Sequence, residues 1–173
     1  GKIVFGSGAT GTAGHLTGAR FNIAAGIKVV HVAFKGGPEA LIEVLAGRSH
    51  YTVSTMGVAL PFISEGKLLA LAVTTPQRSP VLPDVPTLAE TIADFRRPET
   101  SHALLVPAGT PRALLNLISK EVARIVDLPD VKERMQAISF VAAPGTPEDC
   151  DRILRAQIEA LSKLVAEAGL RPK

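Results

Sequence analysis

Between a β-branched, aromatic run at residues 2–5 and a stretch in which Leu16, Ala19, Ile23 and Ala24 recur at helical spacing lies Gly6-Ser7-Gly8-Ala9-Thr10-Gly11-Thr12. A strand that turns through three glycines into a helix constrains the chain more than any other local feature. The first helical turn has N–H groups with no intrahelical acceptor, and the helix dipole puts its positive end there. With the hydroxyls of Ser7, Thr10 and Thr12 alongside, the loop is suited to an anion. The same residues also suit a tight turn that uses glycine only for its positive φ. Both readings stay open at this level.

The unit repeats. A β-rich run at residues 29–34 leads into Gly36-Gly37-Pro38, with Pro at a first helical position, and a helix over Ala40-Leu41-Ile42-Glu43-Val44-Leu45 that stops at Gly47. A third strand is expected at 50–54, a short helix at 57–64 and a buried strand at 68–74, entered through Gly66. Prolines 76, 80, 83, 86 and 98 leave room for one short helix around 87–94, which reads as a lobe edge or hinge. Beyond it the pattern predicts a strand at 102–106, then Thr110 as cap and Pro111 as first residue of a helix. That helix has one apolar face of Leu114, Leu115, Ile118, Val122, Ile125 and Val126. A helix at 130–137 and a strand at 139–142 precede a last helix opened by Thr146-Pro147-Glu148-Asp149. Its stripe runs through Ile153, Leu154, Ile158, Leu161, Leu164, Val165 and Ala168 to Gly169. Alternating strands and helices define an α/β class with a mostly parallel sheet.

Composition narrows the function. The 173 residues suffice for one domain, or one with a substantial extension, and 46% hydrophobic with 20% charged residues excludes a disordered chain. No apolar run approaches the ~18 residues needed to cross a bilayer. A scattered net charge of +3, with six Phe, one Tyr and no Trp, argues against a nucleic-acid reader. One cysteine, Cys150, permits neither an internal disulfide nor a thiolate metal site and is assigned to packing. His15, His31, His50 and His102 are far apart, without metal-ligand spacing. His31 is expected to be structural. His15, about one turn after Thr12, either contacts a ligand or caps the loop. Ser7 lies in no nucleophile elbow, and neither a catalytic residue nor a cofactor is expected.

Gly6, Gly8 and Gly11 also match G-x-G-x-x-G, so a dinucleotide site is an alternative. That fingerprint needs a carboxylate at the end of the next strand, where this chain has Ala33-Phe34-Lys35. Lys35 could instead meet a 2′-phosphate, which leaves an NADP-binding oxidoreductase as the second reading. No Gly-Lys-Ser/Thr follows the glycines, so a P-loop is excluded. Phe34-Lys35-Gly36-Gly37-Pro38 forms a second loop at a strand end. In a parallel sheet both loops face one edge and one crevice.

In order and spacing, further motifs resemble the periplasmic substrate-binding receptors of tripartite tricarboxylate transporters, the Bug receptors. They are Gly6-Ser7-Gly8-Ala9-Thr10-Gly11-Thr12 with His15-Leu16; Val30-His31-Val32-Ala33-Phe34-Lys35-Gly36-Gly37; Ala59-Leu60-Pro61; and Gly66-Lys67-Leu68-Leu69-Ala70-Leu71-Ala72-Val73-Thr74. Arg78-Ser79-Pro80, Leu82-Pro83-Asp84-Val85-Pro86-Thr87, Pro107-Ala108-Gly109-Thr110-Pro111 and Gly145-Thr146-Pro147-Glu148 complete the series.

The resemblance implies a type II periplasmic-binding (Venus flytrap) fold that closes on a small mono-, di- or tricarboxylate and delivers it to the membrane permease subunits. It implies a non-catalytic, periplasmic protein. Residues 1–100 would form the second lobe, and 101–173 a crossing strand with helices belonging partly to a first lobe. The chain opens Gly1-Lys2-Ile3-Val4-Phe5 inside a strand-like run, with neither initiator Met nor signal peptide, and reads as a piece of a longer protein. By the same resemblance Ser7, Gly8, Ala9, Thr10, Gly11 and Thr12 hold a ligand carboxylate, and Lys35 and Gly36 line the cleft with His15, Ser54 and Thr55. Family members usually carry an acidic or amide residue at Ser54-Thr55 and aromatics at Ser101-His102-Ala103, so this cleft is expected to be more polar or its ligand different. Without a first lobe, the helices after Thr110 and Thr146 are expected to offer their apolar faces for homodimerisation.

Overall fold

The computed structural model describes residues 2–93, 95–98, 102–137 and 140–170. The chain divides into two compact units, Gly1–Pro98 with Ser162–Lys173, and Glu99–Leu161.

In the first unit three strands form a parallel sheet of order β2-β1-β3: β1 at Val4–Ser7, β2 at Val30–Ala33 and β3 at Tyr51–Thr52. Each strand runs into a helix, α1 at Ala13–Ala24, α2 at Gly37–Leu45 and α3 at Met56–Ser64. This is the α/β arrangement the alternation predicts. Register places His31 and Tyr51 on either side of Phe5, so the three rings form one row across the sheet. Phe5 is buried and stacks on Tyr51 at 5.0 Å between ring centroids, and α1 buries His15, Leu16, Thr17 and Gly18. Ala40 and Leu41 of α2 add to the same core. A short helix, α4 at Leu88–Thr91, starts in a capping box: the Thr87 hydroxyl accepts from the Glu90 amide while the Glu90 carboxylate accepts from the Thr87 amide. At the far end of the chain Leu164 is buried and Glu167 lies 3.8 Å from Arg20, both within this unit.

The strand expected at 68–74 does not form. Only Val73 makes a bridge, to Thr87, while Leu69 and Leu71 are 82% and 69% exposed. Alternation persists, but a strand needs a neighbour to accept its backbone bonds, and among the described residues these have no such neighbour beyond that bridge.

The second unit contains α5 at Arg112–Val126, α6 at Pro129–Ala137 and most of α7, Pro147–Glu167. The expected strand at 102–106 is absent, and Leu104 and Leu105 stand in solvent. Residues 140–142 are not strand either, while Ser139 lies outside the described residues. Helix α5 begins one residue later than expected, with Pro111 as its cap, because the Thr110 hydroxyl and amide both donate backward to the Pro107 carbonyl. Thr146 does cap α7: its hydroxyl accepts from the Asp149 amide while the Asp149 carboxylate accepts from the Thr146 amide and hydroxyl.

Candidate functional site

A parallel sheet whose strands all lead into helices collects three helix N-termini at one edge, each with a positive dipole end. Two close approaches bring them together. A Cβ built on Gly8 falls 2.6 Å from the Gly37 nitrogen, so glycine there lets the first loop lie against the second. One built on Gly14 falls 2.7 Å from the Val53 carbonyl oxygen, which sets the first turn of α1 against the segment leading to Ser54 and Thr55.

The three N-termini are not equivalent. At α2, Glu39 occupies the first turn and its carboxylate accepts the Lys35 amide at 2.7 Å, so a protein carboxylate already occupies this end. Lys35 is exposed and Gly36 is the extended cap residue. Neither α1 nor α3 has an acidic residue in its first turn. Thr55 caps α3 without using its hydroxyl, and among the described residues the Ser54 hydroxyl donates to the adjoining Thr55 carbonyl alone.

Within the first loop, the sequence-derived candidates separate into supports and donors. Ser7 is 1% exposed; its hydroxyl donates to the Ala9 carbonyl at 3.2 Å and lies 2.7 Å from His31 Nε2. The Thr12 hydroxyl donates to the same carbonyl at 2.8 Å and accepts from the His15 amide. The Gly11 amide donates to His15 Nδ1 at 2.9 Å. These three groups are used internally. Among the described residues, the amides of Gly8, Ala9 and Thr10 and the Thr10 hydroxyl have no protein partner, nor do the first-turn amides of Ala13 and Gly14. Because a trans peptide holds C=O and the next N–H antiparallel, drawing the Ala9 carbonyl inward turns the Thr10 amide the other way. The loop therefore presents donors because other residues consume its acceptors.

His15 and His31, read separately in the sequence, meet beneath this loop. Their rings stack at 3.9 Å between centroids and 15° between planes, with Phe5 against both. Burial, and then the nearby His31, lower the His15 pKa to about 4; burial alone lowers that of His31. Both rings are neutral at pH 7. Of the two roles left open for His15, the structure has it capping the loop from below. Position after Thr12 was the signal for His15, but nothing in the sequence supplies the register that puts His31 beside Phe5.

A second concavity, in the other unit, involves Arg112, Ser119, Thr146 and Asp149. Several of its polar groups pair with each other or their neighbours, Arg112 with Glu148, Ser119 with the Gly145 carbonyl and Thr146 with Asp149, and Asn116 and Lys120 also line it.

Residues 1–170 match the family model described as the tripartite tricarboxylate transporter family receptor. The chain belongs to that receptor family. A UPF0065 protein from the tcbD–tcbE intergenic region of Pseudomonas sp. strain P51 is 30% identical over 98% of this chain and 51% of its own length. Among solved structures, R. palustris Rpa4515 with adipate superposes with a TM-score of 0.89 at 28% identity, over 99% of this chain and 57% of that one. The periplasmic binding protein BugD is similar in fold, with a TM-score of 0.84 at 24% identity, over 99% of this chain and 58% of that one. The chain thus has the periplasmic-binding α/β fold and spans about half the length of the relatives it matches. For a receptor of this family the Gly6–Gly8–Gly11 spacing marks the edge loop just described, and the absence of a carboxylate after β2 removes the main support for a dinucleotide reading.

Proposed function

We propose that this chain is the part of a periplasmic solute receptor that grips one carboxylate of a small organic acid, and that the whole protein hands the acid to a tripartite membrane permease. The carrying observation is the N-termini of α1 and α3, neither with an acidic residue in its first turn, together with the amides of Gly8, Ala9 and Thr10, unpaired among the described residues. Thr10 and Thr55 would add hydroxyl donors, and Gly36 a close backbone wall. Ser7, Gly11, Thr12 and His15 would support the loop instead of touching the ligand. The protein acts by binding alone. Rpa4515, which was solved with adipate, supports a dicarboxylate as the first ligand to try.

A carboxylate accepting three amide bonds gains about 1.5–3 kcal/mol from each, against an association cost of about 4 kcal/mol or more. Micromolar affinity needs about −8 kcal/mol, so one edge binds in the millimolar range and a facing lobe supplies the rest. Titrating adipate into the 15N-labelled chain should shift the amides of Gly8, Ala9, Thr10, Ala13 and Gly14 first. Largest shifts around Arg112 and Thr146, or none at high millimolar adipate, would sink the assignment. Tight binding by this chain alone would contradict the two-lobe division, with residues 1–100 on one lobe. NADPH fluorescence should stay unchanged on addition of the chain.

Self-association is a separate reading, favoured by the second unit: no described residue from 102 to 160 is buried, and Leu117 on α5 is 56% exposed. Light scattering that stays monomeric at high concentration removes it.

A further inference from the structure

Three observations meet under the edge loop. The Gly11 amide ends on His15 Nδ1. The His15 ring is 2% exposed and clamped between its own helix and the face of His31. The Ser7 hydroxyl, on the other side of the loop, sits on His31 Nε2. The two stacked imidazoles thus hold the loop at both ends, one through an amide and the other through a hydroxyl.

The proton position on His15 follows from this geometry. An Nδ1 that accepts an amide carries no proton, so neutral His15 has its proton on Nε2. The Ser7 hydroxyl lies within hydrogen-bond reach of both the Ala9 carbonyl, at 3.2 Å, and His31 Nε2, at 2.7 Å, and the direction of the latter bond follows the His31 tautomer. Around His15 the contacting groups are Phe5, His31 and Gly11, and the titratable one among them is His31.

We infer that His15 is a positioning residue for the anion loop: its neutral Nδ1, held in place by the His31 stack, fixes the plane of the Thr10–Gly11 peptide and so aims the neighbouring Gly8, Ala9 and Thr10 amides. His15 does not touch the ligand. Its contribution is orientation fixed before binding, so that less ordering is left to be done when a carboxylate arrives. The adipate measurement below rests on the receptor reading, whereas the ligand-free measurements do not.

The test uses the 173-residue chain and three variants. Asn places an acceptor oxygen close to the position of Nδ1, Gln places its amide close to Nε2, and Phe keeps a stacked ring without an acceptor. In the unliganded wild type, 15N NMR of the imidazoles should report an unprotonated Nδ1 on His15, and the Gly11 amide should be protected from exchange. His15→Asn should retain that protection, while His15→Phe and His15→Gln should lose it with β1 amides still protected. Gly11 should change environment as pH falls through about 4 in the wild type and stay constant in His15→Asn. A proton on Nδ1, or unchanged Gly11 protection in a folded His15→Phe, overturns the inference whether or not adipate binds. With adipate as probe, His15→Phe should bind about three- to tenfold more weakly, the worth of one oriented hydrogen bond, and His15→Asn within about twofold of wild type. Equal adipate affinity of folded wild type and His15→Phe, where the wild type does bind, also overturns it. Failure of wild type to bind adipate counts against the receptor reading alone.

Discussion

Helices α1 and α5 make an instructive pair. By sequence α5 is the better amphipathic helix, with Leu114, Leu115, Ile118, Val122, Ile125 and Val126 along one stripe, whereas α1 mixes Gly14, His15, Thr17, Gly18 and Asn22 among its apolar residues. Burial runs the other way. Helix α1 buries four residues, two of them polar, and α5 buries none. A stripe makes burial favourable, but burial needs an opposing layer, and the sheet of the first unit supplies one for α1. The second unit has no strand among its described residues, and its ion pairs, such as Arg124 with Glu121 and Arg155 with Asp151, are exposed and contribute little.

The sharpest way to break this contrast is to cut into both units equally. Phe5→Ala removes a ring that is 1% exposed and touches His15, His31 and Tyr51, and should cost about 3–5 kcal/mol in urea unfolding. Leu117→Ala on the exposed face of α5 should cost less than about 0.5 kcal/mol. Similar losses from both would mean that the second unit has a core of its own.

Next in size is a dependence on pH that belongs to the first unit. His15 titrates at about 4 when folded against 6.5 as an ordinary histidine, so between those values the unfolded chain binds more protons. Stability should therefore be full above pH 6.5 and fall as pH drops toward 4, by up to about 3 kcal/mol, with His31 shifted in the same direction. His15→Asn should flatten the part of the urea midpoint–pH curve that His15 contributes. A wild-type midpoint independent of pH across that window would show that the imidazole stack is not buried in solution.

Smaller effects probe the loops. Gly8→Ala drives a methyl into the Gly36–Gly37 backbone and should cost about 1–3 kcal/mol, with the amides of Gly36 and Gly37 shifted in NMR spectra. If Gly8→Ala proves as stable as wild type, the two loops stand apart. Thr146→Ala removes the α7 cap and should lower stability by about 1 kcal/mol at most, seen as faster amide exchange in the first turn of that helix.

Much of the fold was legible because its signals are local. The strand–glycine–helix order at residues 2–24, Pro38 near the start of α2, and the Thr146–Asp149 cap each act within a few residues. The misread strands at 68–74 and 102–106 failed for a common reason: alternation and apolar composition report a preference, while a strand exists only where a partner takes its backbone bonds. The candidate site was half legible. Its loop could be named, but Ser7, Gly11 and Thr12, which the sequence offers as donors to a ligand, are engaged inside the protein.

By itself, the sequence determined the family, the α/β class and the glycine loop facing the end of a parallel sheet, since spacing and turn chemistry are written residue by residue. Only the tertiary structure decided which amides stay unpaired and that His15 stacks on His31. The stack depends on the strand register that sets His31 beside Phe5, and the amide pattern depends on how the folded loop turns the Ala9 carbonyl and the His15 ring toward its own donors.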